Sequence, residues 1–287
     1  MRAKLLTWNV AGRTKLLGEQ VAAVVRREAD LVALQEIRPS TVGRWRDALA
    51  AAGLPHAVDS SAFIGSRRLF NLTASRWELT ELPAIGAPQP ERVLSVVGES
   101  PAGQIEVHNA HIPPAPSNGL IKVETCEALF ARLARASMRH RILCGDLNTP
   151  RFESDAGEVE TFASNHPDHT ERWDAAERSL LTGLAGWDLV DVFRELNGYD
   201  RRDVSWVMHT RARRKAAHRL DHILASASLR PLACLPPRLA RGGAERPLRD
   251  GGPVRARVNG PGERWPSCRR SRAAARVGRR GNREPAA

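Results

Sequence analysis

The sequence predicts an α/β chain of mixed β-sheets packed on one another with helices outside. Three observations carry this. Apolar strand-like runs alternate with helix-spaced stretches near the start and again past residue 120. A meander of strands with no helix lies between them, and the regular alternation of a (β/α)8 barrel is missing. At 287 residues and 42% hydrophobic, the chain can bury a sizeable core. No internal repeat is visible.

The elements follow in order. Lys4 to Val10 is a short apolar run closing on Asn9 and Gly12, as a buried strand would. Val21, Val24 and Val25 give Glu19 to Glu28 a helical spacing. Ala29 to Glu36 is a second buried strand, and Ser40 or Thr41 caps a helix running to Ala52. Asn71–Trp77, Arg92–Val97 and Gln104–His111 form an antiparallel meander punctuated by Gly and Pro. Leu120 to Ala136 is a helix with Val123, Cys126, Leu129, Phe130 and Leu133 on one face. Arg141 to Gly145 is a strand that delivers Asp146 to a loop, Trp173 to Leu184 is helical, and Leu220 to Ala225 is strand-like.

Composition narrows the function classes. No apolar run is long enough for a membrane span, and the first residues lack the apolar core of a secretion signal. Four scattered cysteines (Cys126, Cys144, Cys234, Cys268) make neither a disulfide scaffold nor a zinc knuckle. These features predict a reduced, cytoplasmic protein, read as a monomer. The net charge of +12 points to nucleic acid until its distribution is examined. Residues 230–287 hold 15 Arg against four acids, whereas the first 229 hold 29 basic and 28 acidic residues. The charge belongs to the tail. Glycine-rich phosphate loops and a nucleophile elbow are absent. His166 and His169 lack a second ligand pair, so a polar loop is favoured there over zinc.

Polar residues end several strands: Asn9, Glu36, Asp146 with Asn148, and Asp221. Singly, each is what a turn or cap would use. Together, Thr7-Trp-Asn-Val10, Leu34-Gln-Glu36, Gly145-Asp-Leu-Asn148 and Arg219-Leu-Asp221 resemble the endonuclease/exonuclease/phosphatase superfamily in order and spacing, across roughly residues 3–229. Leu72 to Trp77 resembles that family's strand ending in Ser-Arg.

The resemblance implies a four-layer sandwich of two packed mixed sheets flanked by helices, and divalent-metal hydrolysis of a phosphodiester. That chemistry needs charge neutralisation on the phosphoryl oxygens, an activated water and help for the leaving oxygen. On this basis Glu36 is the Mg²⁺ or Mn²⁺ anchor. Asn9 lies beside the metal, orienting Glu36 or contacting the phosphate. Asp146 holds or deprotonates the attacking water, Asn148 donates to a phosphate oxygen, and Asp221 stands near the metal. A salt bridge from Asp221 to Arg219 or Arg214 is the competing reading. His111, in Asn109-Ala-His-Ile-Pro-Pro114, matches a phosphate-contacting position that is tyrosine in the abasic-endonuclease branch and histidine in others; when protonated it would add charge.

Asp191-Val-Phe-Arg194, then Ser205-Trp206, then Arg219-Leu-Asp221-His-Ile-Leu224 resemble the exonuclease III type. There Trp206 would line a sugar pocket, and Arg211 and Arg214, with Arg213 and Lys215, would contact phosphate. Equally open is a core Trp206 beside a solvated hairpin. The expected partner is DNA. A small or lipid phosphoester is the first alternative, and an inactive protein gripping nucleic acid through its basic tail is the second.

The tail departs from the family pattern. The sequence divides into a catalytic domain over 1–229 and a tail over 230–287 that reads as disordered, because no hydrophobic period survives there. The family closes its site with Ser-Asp-His and a final core strand. This chain has no histidine after His222, and neither feature is legible. Glu245-Arg-Pro-Leu-Arg-Asp-Gly251 can be encoded by a string whose next frame reads Ser-Asp-His-Ser-Ala-Met-Glu. The tail is therefore read as a frameshift product, which leaves the chain crippled.

Overall fold

The computed structural model of the chain describes residues 2–63, 69–101, 103–114, 119–209, 214–235 and 254–259. The first part comprises β1 (Arg2–Asn9), α1 (Leu17–Val25), β2 (Leu31–Ile37), α2 (Val42–Ala51), β3 (His56–Asp59) and β4 (Phe70–Ser75). Next come β5 (Leu79–Glu81), β6 (Val93–Ser100), β7 (Gly103–His111), α3 (Ile121–Leu133) and β8 (His140–Asp146). The last part holds β9 (Phe152–Glu153), β10 (Val159–Glu160), α4 (Thr170–Leu181), β11 (Leu189–Asp191), α5 (Val192–Asn197), β12 (Trp206–His209), β13 (Arg214–His218), β14 (Asp221–Ser226), β15 (Pro231–Leu235) and β16 (Val254–Asn259).

Two six-stranded sheets run in the orders β15-β16-β1-β2-β4-β3 and β11-β14-β8-β7-β6-β5. Both are mixed: β1 and β2 are parallel, as are β7 and β8, and the other pairs are antiparallel. Strand periodicity makes the layers. Leu5, Leu31 and Ala33 face Val107, Ile142, Cys144 and Ile223 between the sheets. Leu6, Trp8, Val32 and Leu34 point the other way, onto Leu17, Val24, Trp45 and Leu49 of α1 and α2. Leu143 and Leu224 pack on Val123, Cys126 and Leu129 of α3 and Trp173 and Leu180 of α4. The result is the four-layer α/β sandwich. No helix among the described residues is long and apolar enough to cross a membrane.

This arrangement sets the site. β1, β2, β7 and β8 all end on one edge, and antiparallel β14 begins there, with Asp221 opposite Asp146 and His111 opposite Asp146 on the other side. Glu36 leaves the β2–β4 ladder at a bulge between Leu34 and Ile37, with φ +60°. Buried Asn109 covers that break, donating to Leu34 O (3.1 Å) and Leu72 O (3.0 Å), while Gln35 Nε2 donates to Asn109 Oδ1 (2.8 Å). Gly145 has φ +133°, and a Cβ there would lie 1.9 Å from Ala110 O, so β7 and β8 can approach only across glycine.

The end of the chain requires a correction. Within the tail read as disordered, Pro231–Leu235 and Val254–Asn259 are strands, and β16 pairs with β1 from Arg2↔Asn259 to Thr7↔Val254, while 236–253 and 260–287 lie outside the described residues. The final core strand expected to be missing is present. The composition argument failed because these strands need no core of their own. Cys234, Val254 and Ala256 are buried against a sheet already assembled. Pro231 is tolerated as the first residue of an edge strand.

Candidate active site

A cleft of about 580 Å³ opens at the shared edge, and Asn9, Glu36, His111, Asp146, Asn148, Trp206 and Asp221 all line it. Of the nine site residues predicted from the sequence, these seven are brought together. Arg211 lies outside the described residues, and Arg214 begins β13, which pairs with β12 in a hairpin.

Asn9 is the hub. Its Nδ2 donates to Glu36 Oε1 (3.1 Å) and to Asp146 Oδ2 (3.0 Å), and its Oδ1 accepts from Ala11 N (2.9 Å). Both amide protons are spent on carboxylates of two different sheets, which fixes the side chain completely. Asp146 Oδ1 accepts from Asn148 N (3.0 Å), and Asn148 Nδ2 donates to Ile112 O (2.8 Å), leaving one amide proton for a ligand.

Burial pushes the Asp146 carboxyl up to about 6, and Glu36 adds to the rise, against hydrogen bonds from Asn9 and Asn148 that oppose it. Asp221 is raised well above the usual range by burial and then by Asp146. These two carboxylates titrate as a pair. Asp221 takes no salt bridge to Arg219. That guanidinium instead binds Glu153 (2.9 Å) and Asp191 (2.8 Å). Among the described residues neither Asp146 nor Asp221 has a Lys or Arg partner, although both line an open cleft.

His111 departs from expectation. Arg92 Nη1 donates to its Nδ1 (2.9 Å), so the ring proton sits on Nε2, 3.4 Å from Glu36 Oε1. Burial, then the neighbouring Arg92, lowers its pKa to about 3. The imidazole is neutral, and the positive charge expected of it resides on Arg92, which the sequence reading missed. Its signal was Pro90-Glu-Arg92 just ahead of a core strand.

Trp206 is half-buried at the cleft wall, stacked on His218 (5.9 Å between centroids, 15° between planes). His218 meets the Phe162 ring edge-on at 5.6 Å. Phe162 and His218 were also missed, although His218 directly precedes the Arg219-Leu-Asp221 motif. His166 stacks on Trp173 at 3.5 Å, and among the described residues no group of three His, Cys, Asp or Glu could by itself hold a metal.

The sequence profile of the Endonuclease/Exonuclease/phosphatase family matches residues 6–267. The chain belongs to that family. The match runs through the segment read as a frameshift product. No curated protein sequence matches the chain. Among solved structures, an AP endonuclease from Archaeoglobus fulgidus superposes with a TM-score of 0.63 at 20% identity, covering 88% of this chain and 98% of that one. A humanized D. rerio TDP2 gives 0.63 at 14% identity (90% and 99%), and the AP endonuclease LMAP from Leishmania major 0.61 at 19% (91% and 88%). At these identities the likeness establishes the fold.

Proposed function

We propose that the chain is a divalent-metal-dependent phosphodiester hydrolase acting on DNA, of the exonuclease III type. The observation that carries this is the convergence of Glu36, Asp146 and Asp221 in one cleft with two amides and no cation paired to Asp146 or Asp221 among the described residues. The donor set is all hard oxygen and amide, which suits Mg²⁺ or Mn²⁺. Glu36 and Asn9 would hold it. When bound, it neutralises charge on the phosphoryl oxygens.

The chain's own groups do the rest. Asp146, with a pKa of about 6, is ionised at neutral pH yet basic enough to take a proton from water. Asn9, bonded to both carboxylates, holds that base in register with Glu36. Arg92 supplies positive charge beside the neutral His111, and the second amide proton of Asn148 is available to a phosphoryl oxygen. Trp206 gives the cleft an apolar wall against a sugar or base. Support for a DNA substrate comes from the AP endonucleases of the same fold.

A second reading, phosphodiester binding with little turnover, is favoured by one observation: no histidine follows His222. One assay decides between them. The full chain in Mg²⁺ is offered an abasic-site duplex and a small phosphodiester, with Asp146→Ala as control. Cleavage of the duplex above the control supports the nuclease. Cleavage of only the small diester moves the substrate class, and binding without cleavage of either leaves the second reading.

A further inference from the structure

Behind the cleft lies a deeply buried ion pair that takes no part in the chemistry proposed above, Lys122 on α3 and Glu177 on α4. Their side chains are 2% and 1% exposed, with Nζ 2.6 Å from Oε1. We infer that this pair is a positioning device for the catalytic loop, an inference that rests on the proposed hydrolysis at Asp146 and Asn148. Outside the pair its hydrogen bonds go to four groups. Lys122 Nζ donates to Asn148 O (2.8 Å), and Glu177 accepts from Thr149 Oγ1, Phe162 N (3.1 Å) and Trp173 Nε1 (2.7 Å). Three of the four belong to the cleft loop or wall. Lys122 Nζ also sits 4.9 Å from the centre of the Phe162 ring.

A buried ion pair is poorly explained as a stability element. Desolvating two charges offsets most of their attraction, and well-packed apolar replacements are often neutral or better. Geometry is the better account. Asn148 has φ +50°, a left-handed conformation that asparagine tolerates better than other side chains and that the neighbouring contacts hold in place. Lys122 holds the Asn148 carbonyl and Glu177 holds the Thr149 hydroxyl, while His222 Nε2 lies 2.7 Å from Thr149 O. The loop is held at three points. The grip fixes the Asn148 amide that donates to Asp146 Oδ1, and it places Phe162 against His218.

The test uses the full chain, with Lys122→Met/Glu177→Gln and, separately, Thr149→Val, which removes only the hydroxyl. Hydrogen exchange at the Asn148 amide is read against Leu143 in mid-β8, and cleavage of the abasic duplex in Mg²⁺ is split into kcat and KM. The double variant should exchange Asn148 about tenfold faster with Leu143 unchanged. Its kcat should fall by about tenfold or more with KM within about twofold, since small misplacements act on chemistry rather than on binding. Thr149→Val should move both readouts the same way by less while keeping the wild-type melting temperature. Wild-type exchange and kcat in either folded variant overturns the inference, and Thr149→Val decides alone if the double variant fails to fold. Should the wild type cleave nothing, the hydrolase reading falls and the exchange arm still decides the grip on the loop.

Discussion

Asp146→Asn should stabilise the metal-free protein, and by an amount that grows with pH. The folded carboxyl holds its proton to about 6, and the unfolded one releases it near 3.8. Between those values the folded state binds more protons, so wild-type stability falls as pH rises, and above about 6 the loss is complete. A shift of about two units at 1.36 kcal/mol each amounts to about 3 kcal/mol. The asparagine does not titrate. It can accept from only one of Asn9 and Asn148, a fixed loss of about 1 kcal/mol that does not change with pH. His108 and His111, both lowered by burial, titrate in both proteins and cancel in the difference. Relief of Asp221, which Asp146 helps to raise, acts in the same direction. Urea denaturation in EDTA from pH 4 to 8 measures the gap, which should widen by about 3 kcal/mol in favour of the variant, roughly 6–12 °C in melting temperature. Parallel stabilities across that range, or a gap that closes as pH rises, would refute the assignment of Asp146 as a buried, unneutralised base.

Glu36→Ala should abolish Mg²⁺-dependent cleavage, on the order of a hundredfold or more, with the melting temperature held, because the bulge at Glu36 is secured by Asn109 and Gln35 rather than by the carboxylate. Loss of the thermal transition as well would make Glu36 structural. Arg92→Met should lower kcat/KM by roughly 10–100-fold, and the His111 pKa, followed by NMR, should rise from about 3 but stay below 6.5, since burial is its larger cause. Gly145→Ala should cost about 3 kcal/mol or more, seen as a lost or much lower denaturation midpoint, because its Cβ would meet Ala110 O at 1.9 Å.

Much of the fold was legible because its central strands are apolar on both faces and its helices carry a clean stripe. Leu31–Ile37, Gly103–His111 and His140–Asp146 were each found within a few residues of their bounds. The peripheral elements were not. His56–Asp59 and Leu79–Glu81 are short edge strands whose half-exposed residues carry little pattern. The six-residue α5 depends on Asp191, whose Oδ1 accepts from Phe193 N and Arg194 N. For the site, the strand-end motifs named the polar residues of the cleft, since each motif marks where a strand stops. Arg92, Phe162 and His218 escaped because they reach the cleft from the meander, the β10–α4 connection and the end of β13, outside the motifs. The protonation of His111 was out of reach as well: it is set by a guanidinium 19 positions earlier in sequence and adjacent only across β6 and β7.

The end of the chain carries the remaining weight of the functional argument. β16 enters the sheet at Val254 opposite Thr7, two residues short of Asn9, so the chain joins the sheet on the catalytic edge. The resemblance puts Ser-Asp-His just ahead of the last strand, and no histidine follows His222 in this sequence. On the proposed function the chain keeps Asp146 to take the proton of water, Arg92 and Asn148 to meet the phosphate, and the oxygen donors for a metal. It lacks the imidazole that the resemblance assigns to the developing charge. The lost group acts on the transition state more than on bound substrate, so its absence should appear in kcat and leave KM nearly untouched.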